Sequence, residues 1–244
     1  MSIEAGLEKY EKVNELIKNE LVKKNKITVK NVNGQRYIGC ALDSGKTIEV
    51  HGTPGNDLAC YLNGGRVVVF GNGQDAVGNT MNGGEIVIHG HSGDALGYGM
   101  RNGNIYIKDN VACRGGIHMK EFEQMKPVIV IGQNAGSFLG EYMAGGTIVL
   151  LGLNIPRGEK LFGTHCASGM HGGKIIVRGK FPKENLSPNI EVCELSEQDK
   201  QELKAYVKQY CKYFGADFGE IMGSEFKKLV PATSRPYANL YTPN

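Results

Sequence analysis

The chain has 244 residues, of which 28 are basic, 25 are acidic and 35 are glycine. Hydrophobic residues make up 41% and charged residues 22%, an ordinary globular composition that excludes a collagen-like or a disordered chain. The formal net charge is +3, and the sequence contains no basic run of the kind that binds nucleic acid or an anionic membrane surface. We therefore expect neither as a partner.

The N-terminal sequence MSIEAGLEKYEKVNELIKNE is too charged for a signal peptide, and the longest apolar runs are far shorter than the ~18 residues of a membrane-spanning helix. The cysteines are scattered, with no CxxC pair among them: Cys40, Cys60, Cys113, Cys166, Cys193 and Cys211. This pattern is typical of buried, reduced side chains and not of a disulfide framework or a metal site. We therefore expect a cytoplasmic protein that binds no metal.

The first element is a predicted helical segment, which we bound as residues 1–26. Its apolar residues recur at helical spacing: Leu7, Tyr10, Val13, Leu16, Ile17 and Leu21.

A repeat follows, and it contains most of the glycine, since 29 of the 35 glycines lie between residues 43 and 179. NGGRVVVFGNGQDAVGNTM (63–81) is followed directly by NGGEIVIHGHSGDALGYGM (82–100), and related segments extend the period in both directions to give seven strand copies. One aligned column reads Ile48, Val67, Ile86, Ile105, Val128, Ile148, Ile175. The column two residues further on reads Val50, Val69, Ile88, Ile107, Val130, Leu150, Val177. Such period-2 aliphatic columns indicate strands with one face in a core.

A repeat of short strands and glycine turns leaves no room for a helix in each unit, which excludes leucine-rich, ankyrin and tetratricopeptide arrays. The predicted fold is all-β: a single-stranded right-handed parallel β-helix of about seven coils over residues 27–195, with helical N- and C-terminal tails. In this fold glycine supplies the positive-φ corners at which each coil turns.

A second column is rich in methionine: Leu62, Met81, Met100, Met119, Met143 and Met170. We interpret it as core filling by a pliable side chain, with a methionine-lined surface or passage as the alternative.

The residues between the two inward columns are expected to point outward, yet most of them are apolar: Val68, Val87, Tyr106, Ile129, Val149 and Ile176. An apolar face of this size is not simply solvated, so either the chain's own tail or a partner covers it. We take these six residues as the candidate partner-facing column.

The C-terminal helical tail is bounded as residues 196–244. Ser196 and Asp199 form a predicted capping box, helical periodicity continues to Phe214, and Gly215 is a natural stop. Because the end coils of a β-helix expose core and strand edges, we expect both tails to cap the ends, with docking to a partner as the alternative. Residues 226–241 are a further candidate for wrapping around a neighbour.

No catalytic, cofactor-binding or metal-binding residue is predicted. Residues 71–76 match GxGxxA, but another turn follows where the dinucleotide fingerprint requires a helix. His165, Cys166 and His171 lie close in sequence, as do His89 and His91, but neither group has a recognised ligand or nucleophile spacing.

Three segments of the repeat resemble the GXGXG β-helix domain at the C-terminus of the glutamate synthase large subunit. They are LNGGRVVVFG, GDALGYGMRNGNIYI and VIGQNAGSFLGEYMAGGTIVLLG. The resemblance covers roughly residues 27–180, and FKKLVPATSRPY is similar to that family's tail. One of the subunits of formylmethanofuran dehydrogenase has a related repeat.

The resemblance implies a stand-alone, non-catalytic scaffold subunit of a glutamate-synthase-like complex in ammonia assimilation. Such a subunit bridges a class II glutamine amidotransferase and an FMN and iron-sulfur synthase subunit, with both cofactors on the partners and none on this chain. Position 2 is Ser2, so no N-terminal cysteine nucleophile is present. A second copy of the chain is a further candidate partner.

Two alternatives remain open at this point. One is the equivalent β-helix subunit of a formylmethanofuran dehydrogenase. The other is an independent β-helix enzyme, which requires a cleft with clustered carboxylates on adjacent coils.

Overall fold

The computed structural model describes residues 2–234. Its elements, in chain order, are β1 (Ser2–Glu4), α1 (Tyr10–Lys23), β2 (Lys26–Asn33), β3 (Thr47–Thr53), β4 (Asn63–Phe70), β5 (Gly83–Ile88), β6 (Asn104–Ile107), β7 (Val128–Ile131), β8 (Ala144–Leu150), β9 (Gly172–Arg178), a 3-10 turn (Lys183–Asn185), β10 (Ile190–Cys193), α2 (Glu197–Phe214), α3 (Phe218–Met222) and β11 (Phe226–Pro231).

The strands β2 to β9 pair in parallel and in sequence order, which confirms the predicted parallel β-helix. The seven predicted strand copies are β3 to β9. Between the first and the last of them the chain makes about six turns, one fewer than predicted. The strands β1 and β2, which the repeat did not reveal, extend the same sheet at its N-terminal edge.

The interior is a continuous apolar core in which the inward columns of the strands face the methionine column. The methionines Met81, Met100, Met119, Met143 and Met170 are all fully or almost fully buried. Their predicted role as core filling is confirmed, and the alternative of a methionine-lined surface is wrong.

The register of β7 differs from the predicted one by one residue. Ile105 pairs with Ile129 and Tyr106 with Val130, so Ile129 lies in the main core while Val130 occupies the outward column. A one-residue shift moves every side chain of a strand to the opposite face. The sequence concealed the shift because all four residues of β7 are aliphatic, so no polar residue marks its outer face.

Opposite the sheet, each coil contains an arc in which three alternating residues adopt left-handed backbone conformations. We call this five-residue segment the left-handed arc. Its first, third and fifth positions are the three left-handed residues, as in Arg114, Gly116 and His118. The third positions are small: Gly39, Ala59, Gly78, Gly97, Gly116, Gly140 and Ala167.

The left-handed arcs stack through backbone hydrogen bonds that alternate in direction. The N–H at the third position donates to the preceding coil, as from Gly116 to Leu96 O at 2.7 Å. The N–H groups at the first and fifth positions donate to the following coil, as from His118 to Glu141 O at 2.9 Å. Seven of the 21 left-handed positions in these arcs are glycine, so the arcs explain only part of the glycine excess. Other glycines lie at the starts of strands, such as Gly84 and Gly103, where a Cβ would come within 3 Å of the backbone of the preceding coil.

The two ends of the β-helix are covered in different ways. Helix α1 buries Val13, Ile17 and Leu21 against the first strands, which confirms its predicted role as a cap. At the other end β11 pairs antiparallel with both β9 and β10, so its residues extend the chain's own sheet. The remainder of the predicted wrapping segment, from residue 235, lies outside the described residues.

Candidate functional site

The predicted partner-facing column is covered by the chain's own helix α2. Tyr106, Val149 and Ile176 pack against Leu203, Val207 and Tyr210 in a second apolar cluster outside the main core. Two other predicted members, Val68 and Val87, are also buried. The column therefore does not face solvent, and α2 lies along the sheet instead of capping an end as expected.

Polar contacts at the N-terminus of α2 fix it to the last strands. The Ser196 and Asp199 capping box is present as predicted. The Asp199 carboxylate also accepts hydrogen bonds from Lys174 at 2.7 Å and from Lys228 at 2.6 Å. Burial opposes ionisation of this carboxyl, but the two ammonium groups outweigh it and hold the pKa of Asp199 well below its usual range.

Aromatic residues fix the other end of α2. Tyr210 donates a hydrogen bond to Lys108 O at 2.9 Å, and Tyr213 donates one to Glu85 Oε1 at 2.7 Å. The ring of Phe214 packs edge-on against His89, with 5.2 Å between centroids. Gly215 ends the helix in the left-handed conformation, as predicted.

Several exposed aromatic side chains lie on the left-handed arcs, whereas exposed Phe70 ends strand β4 and exposed Phe122 lies in the loop before β7. We call six residues of the arcs the aromatic ridge: Tyr98, His118, Tyr142, Arg114, Phe138 and His165. The His118 ring lies 5.8 Å from Tyr98 and 5.2 Å from Tyr142, measured between centroids. Tyr98 is 42% and Tyr142 is 38% exposed.

The second half of the ridge runs beside the first. The Phe138 ring lies 5.0 Å from the His165 ring, and Arg114 places its guanidinium 5.0 Å above the same phenyl ring. Arg114 Nε also lies 3.2 Å from Glu141 Oε2. The ridge thus presents aromatic faces, imidazoles and one guanidinium, and aromatic and arginine side chains are enriched at protein interfaces.

The fold creates this ridge by stacking equivalent positions of successive coils. Arg114, Phe138 and His165 are first positions of their arcs, and His118 and Tyr142 are fifth positions. Because neighbouring coils are about 4.8 Å apart, equivalent rings come into stacking contact. Sequence reasoning missed the ridge since it treated these segments only as turns.

The histidines and the cysteine considered above as metal ligands or as a nucleophile do not form a metal-binding or catalytic site. Cys166 is a core residue, and burial raises the pKa of its thiol to about 12. His165 stacks outward on Phe138, while His171 Nδ1 contacts Gly169 O at 3.1 Å. Among residues 2–234, no group of three or more His, Cys, Asp or Glu side chains could hold a metal ion.

His89 and His91 also have separate environments. His89 stacks on Phe70, and burial lowers the pKa of its imidazole, whereas His91 is exposed. Residues 71–76 form a turn that leads into a left-handed arc, which confirms that they do not begin a nucleotide-binding helix.

The groove beside the N-terminal half of α2 contains two carboxylates, Glu194 and Glu197. Each of them is paired with a lysine, Glu194 with Lys227 and Glu197 with Lys200.

No helix among the described residues is both long enough and apolar enough to span a membrane.

Known proteins share both the sequence pattern and the fold of this chain. The model of the GXGXG motif family matches residues 4–235. An uncharacterized protein of Methanocaldococcus jannaschii is 43% identical over 245 residues, covering 96% of this chain and 94% of that protein. A chain of the formyltransferase/hydrolase complex of Methylorubrum extorquens, solved in complex with methylofuran, has a TM-score of 0.61 at 21% identity. The match covers 86% of this chain and 79% of that chain, and it shows a shared fold.

Proposed function

Because the chain belongs to the GXGXG motif family and shares its fold with one chain of an enzyme complex, we propose that it is a non-catalytic structural subunit of a multi-subunit enzyme. The observation that carries this proposal is the aromatic ridge. Helix α2 already covers the apolar side of the sheet, so the ridge is the surface of the β-helix best suited to receive a partner.

We assign this role first to a complex of the formyltransferase/hydrolase or formylmethanofuran dehydrogenase type. The structural neighbour is a chain of such a complex, and it aligns with most of this chain. In this assignment the partners bind the furan-type carrier and carry out the chemistry, and the β-helix holds them in position.

The second assignment is a glutamate-synthase-like complex. The segment VIGQNAGSFLGEYMAGGTIVLLG supports it through its resemblance to that family's β-helix. Here the partners are a class II glutamine amidotransferase and a synthase subunit that binds FMN and an iron-sulfur cluster, with no cofactor on this chain.

Co-purification distinguishes the two assignments. The chain is expressed with an affinity tag in its own host, and native mass spectrometry identifies the proteins that elute with it in fixed stoichiometry. Formyltransferase or dehydrogenase subunits support the first assignment, and an amidotransferase with an FMN protein supports the second. Elution of the chain alone, while these enzymes assemble without it, contradicts the proposed function.

We expect the double substitution His118→Asn and Tyr142→Asn to abolish that co-purification and to change the free energy of unfolding by less than about 1 kcal/mol. Asparagine tolerates the left-handed backbone at both positions, so the arc itself is kept. The control is Val22→Ser, which removes an 81% exposed apolar side chain from α1 and leaves association unchanged. Equal loss of association in both proteins would argue against the ridge as the docking surface.

A further inference from the structure

Two cysteines, Cys40 and Cys60, occupy the fourth position of successive left-handed arcs. We propose that they are a redox-active pair, which a low-molecular-weight disulfide converts into a reversible covalent link between the first two arcs. This role is separate from the proposed docking function.

The backbone holds the two cysteines opposite each other. Ala59 N–H donates to Ile38 O at 2.8 Å, and Ala41 N–H donates to Cys60 O at 2.9 Å, so hydrogen bonds join the two coils close to the pair. The spacing of adjacent coils, about 4.8 Å, falls within the Cα separation of about 4.4–6.8 Å that disulfides require. No large backbone movement is therefore needed to join the two sulfurs.

The two thiols differ in accessibility, which sets the order of reaction. Cys40 is exposed, whereas Cys60 is only 3% exposed. Burial, and then the neighbouring Cys40 side chain, raises the pKa of the Cys60 thiol to about 12. Because Cys40 is the exposed thiol, it attacks first, and Cys60, whose raised pKa disfavours its thiolate, reacts second as the resolving thiol.

The reaction is a two-step thiol-disulfide exchange. The Cys40 thiolate attacks one sulfur of the reagent disulfide, forms a mixed disulfide and releases the first reagent thiolate. The Cys60 thiol then loses its proton to solvent and attacks the Cys40 sulfur, which releases the second reagent thiolate. In total two protein thiols are oxidised to one disulfide, and one reagent disulfide is reduced to two thiols.

The other arcs carry no cysteine at the fourth position, where their residues are Asn79, Tyr98, Ile117, Glu141 and Ser168. Cys166, although it lies in an arc, occupies the second position and is buried in the core. The Cys40 and Cys60 pair is therefore specific to the N-terminal end of the β-helix, next to the coil that α1 caps.

The full-length protein is incubated with glutathione disulfide, remaining thiols are blocked, and tryptic peptides are analysed by mass spectrometry without reduction. Trypsin separates the two cysteines, since residues 37–46 contain Cys40 and residues 47–66 contain Cys60. We expect these two peptides joined by a disulfide, at least about tenfold more abundant than the glutathione adduct of Cys40, because the second thiol acts intramolecularly.

Two variants and one condition complete the experiment. Cys60→Ala is expected to retain glutathione on Cys40, and Cys40→Ser is expected to leave Cys60 unmodified. Unfolding the wild-type chain in guanidinium is expected to remove the preference for the linked peptides. A folded wild-type chain that keeps glutathione on Cys40, or that links Cys40 mainly to another cysteine, overturns the proposal whether or not the variants fold.

Discussion

Replacing Asp199 with alanine is expected to lower the free energy of unfolding by about 3 kcal/mol, the lower end of the range for breaking a buried ion pair. The side chains of Lys174 and Lys228 are each only 20% exposed, and both bind this carboxylate. Lys174 keeps a second partner in Glu202, whereas no other described carboxylate lies within ion-pair distance of Lys228. The substitution also removes the capping box of α2.

Urea denaturation measures this loss, and hydrogen exchange locates it. Because Asp199 fixes α2 to β9 and β11, we expect protection to fall first along α2 and then in the outward column beneath it. Glu197→Ala is the matched control: it lies in the same helical turn, but its ion pair with Lys200 is exposed, so the expected change is below about 0.5 kcal/mol. Similar losses for the two variants would contradict the anchoring role of Asp199.

The contribution of Asp199 also has a defined pH dependence. The pKa of this carboxyl is lower in the folded chain than its unfolded value of about 3.9, so the unfolded chain binds the proton more readily. The stabilisation is complete above that unfolded pKa and is lost as the pH falls toward the folded pKa. The difference in stability between the wild type and Asp199→Ala should therefore shrink when the pH is lowered from about 6 to about 3.

The fold could be predicted from the sequence because the same pattern of glycine, polar and aliphatic positions recurs in successive coils. In strands such as β4 and β5 polar residues flank the aliphatic positions, and equivalent positions are 19 residues apart, so one alignment defines both period and faces. The capping box at Ser196 and the stop at Gly215 are local signals of the same quality. Each of them depends on neighbours in the chain and not on distant contacts.

The sequence did not define features that depend on distant packing. Nothing in the sequence of β7 distinguishes its two faces. The sequence therefore predicted Ile129 in the outward column, whereas the structure places Val130 there. Likewise an amphipathic helix indicates that it has an apolar face, but not which surface receives it. Tyr210 contacts Lys108, which is 102 residues away, and that contact places α2 along the sheet.

The aromatic ridge was hidden for a different reason. Its members are separated by insertions, since the His118 and Tyr142 rings stack although the two residues are 24 positions apart in the sequence. A search aligned on the inward methionines would have found them, because His118 directly precedes Met119 and Tyr142 directly precedes Met143. The position before the methionine is the fifth position of the arc, which points outward.

Replacing Gly116 with alanine is expected to lower the free energy of unfolding by about 2–4 kcal/mol. The left-handed backbone at this residue, with φ +72°, costs about 1 kcal/mol for alanine. A methyl group at Gly116 would also lie 2.5 Å from Cδ1 of Ile148, a residue of the inward column. Overpacking a close-packed core in this way costs a further amount of about 1–3 kcal/mol.

Two further variants separate these causes in urea denaturation. Gly99→Ala has a similar φ of +58°, but its methyl group would meet nothing closer than Thr80 Oγ1 at 3.8 Å, so only the backbone cost of about 1 kcal/mol is expected. Ile148→Val removes Cδ1 and should cost about 0.5–1.5 kcal/mol alone. Combined with Gly116→Ala, it should destabilise by less than the sum of the two single changes, because the clash is then absent. Strict additivity would show instead that the backbone conformation alone selects glycine at this position.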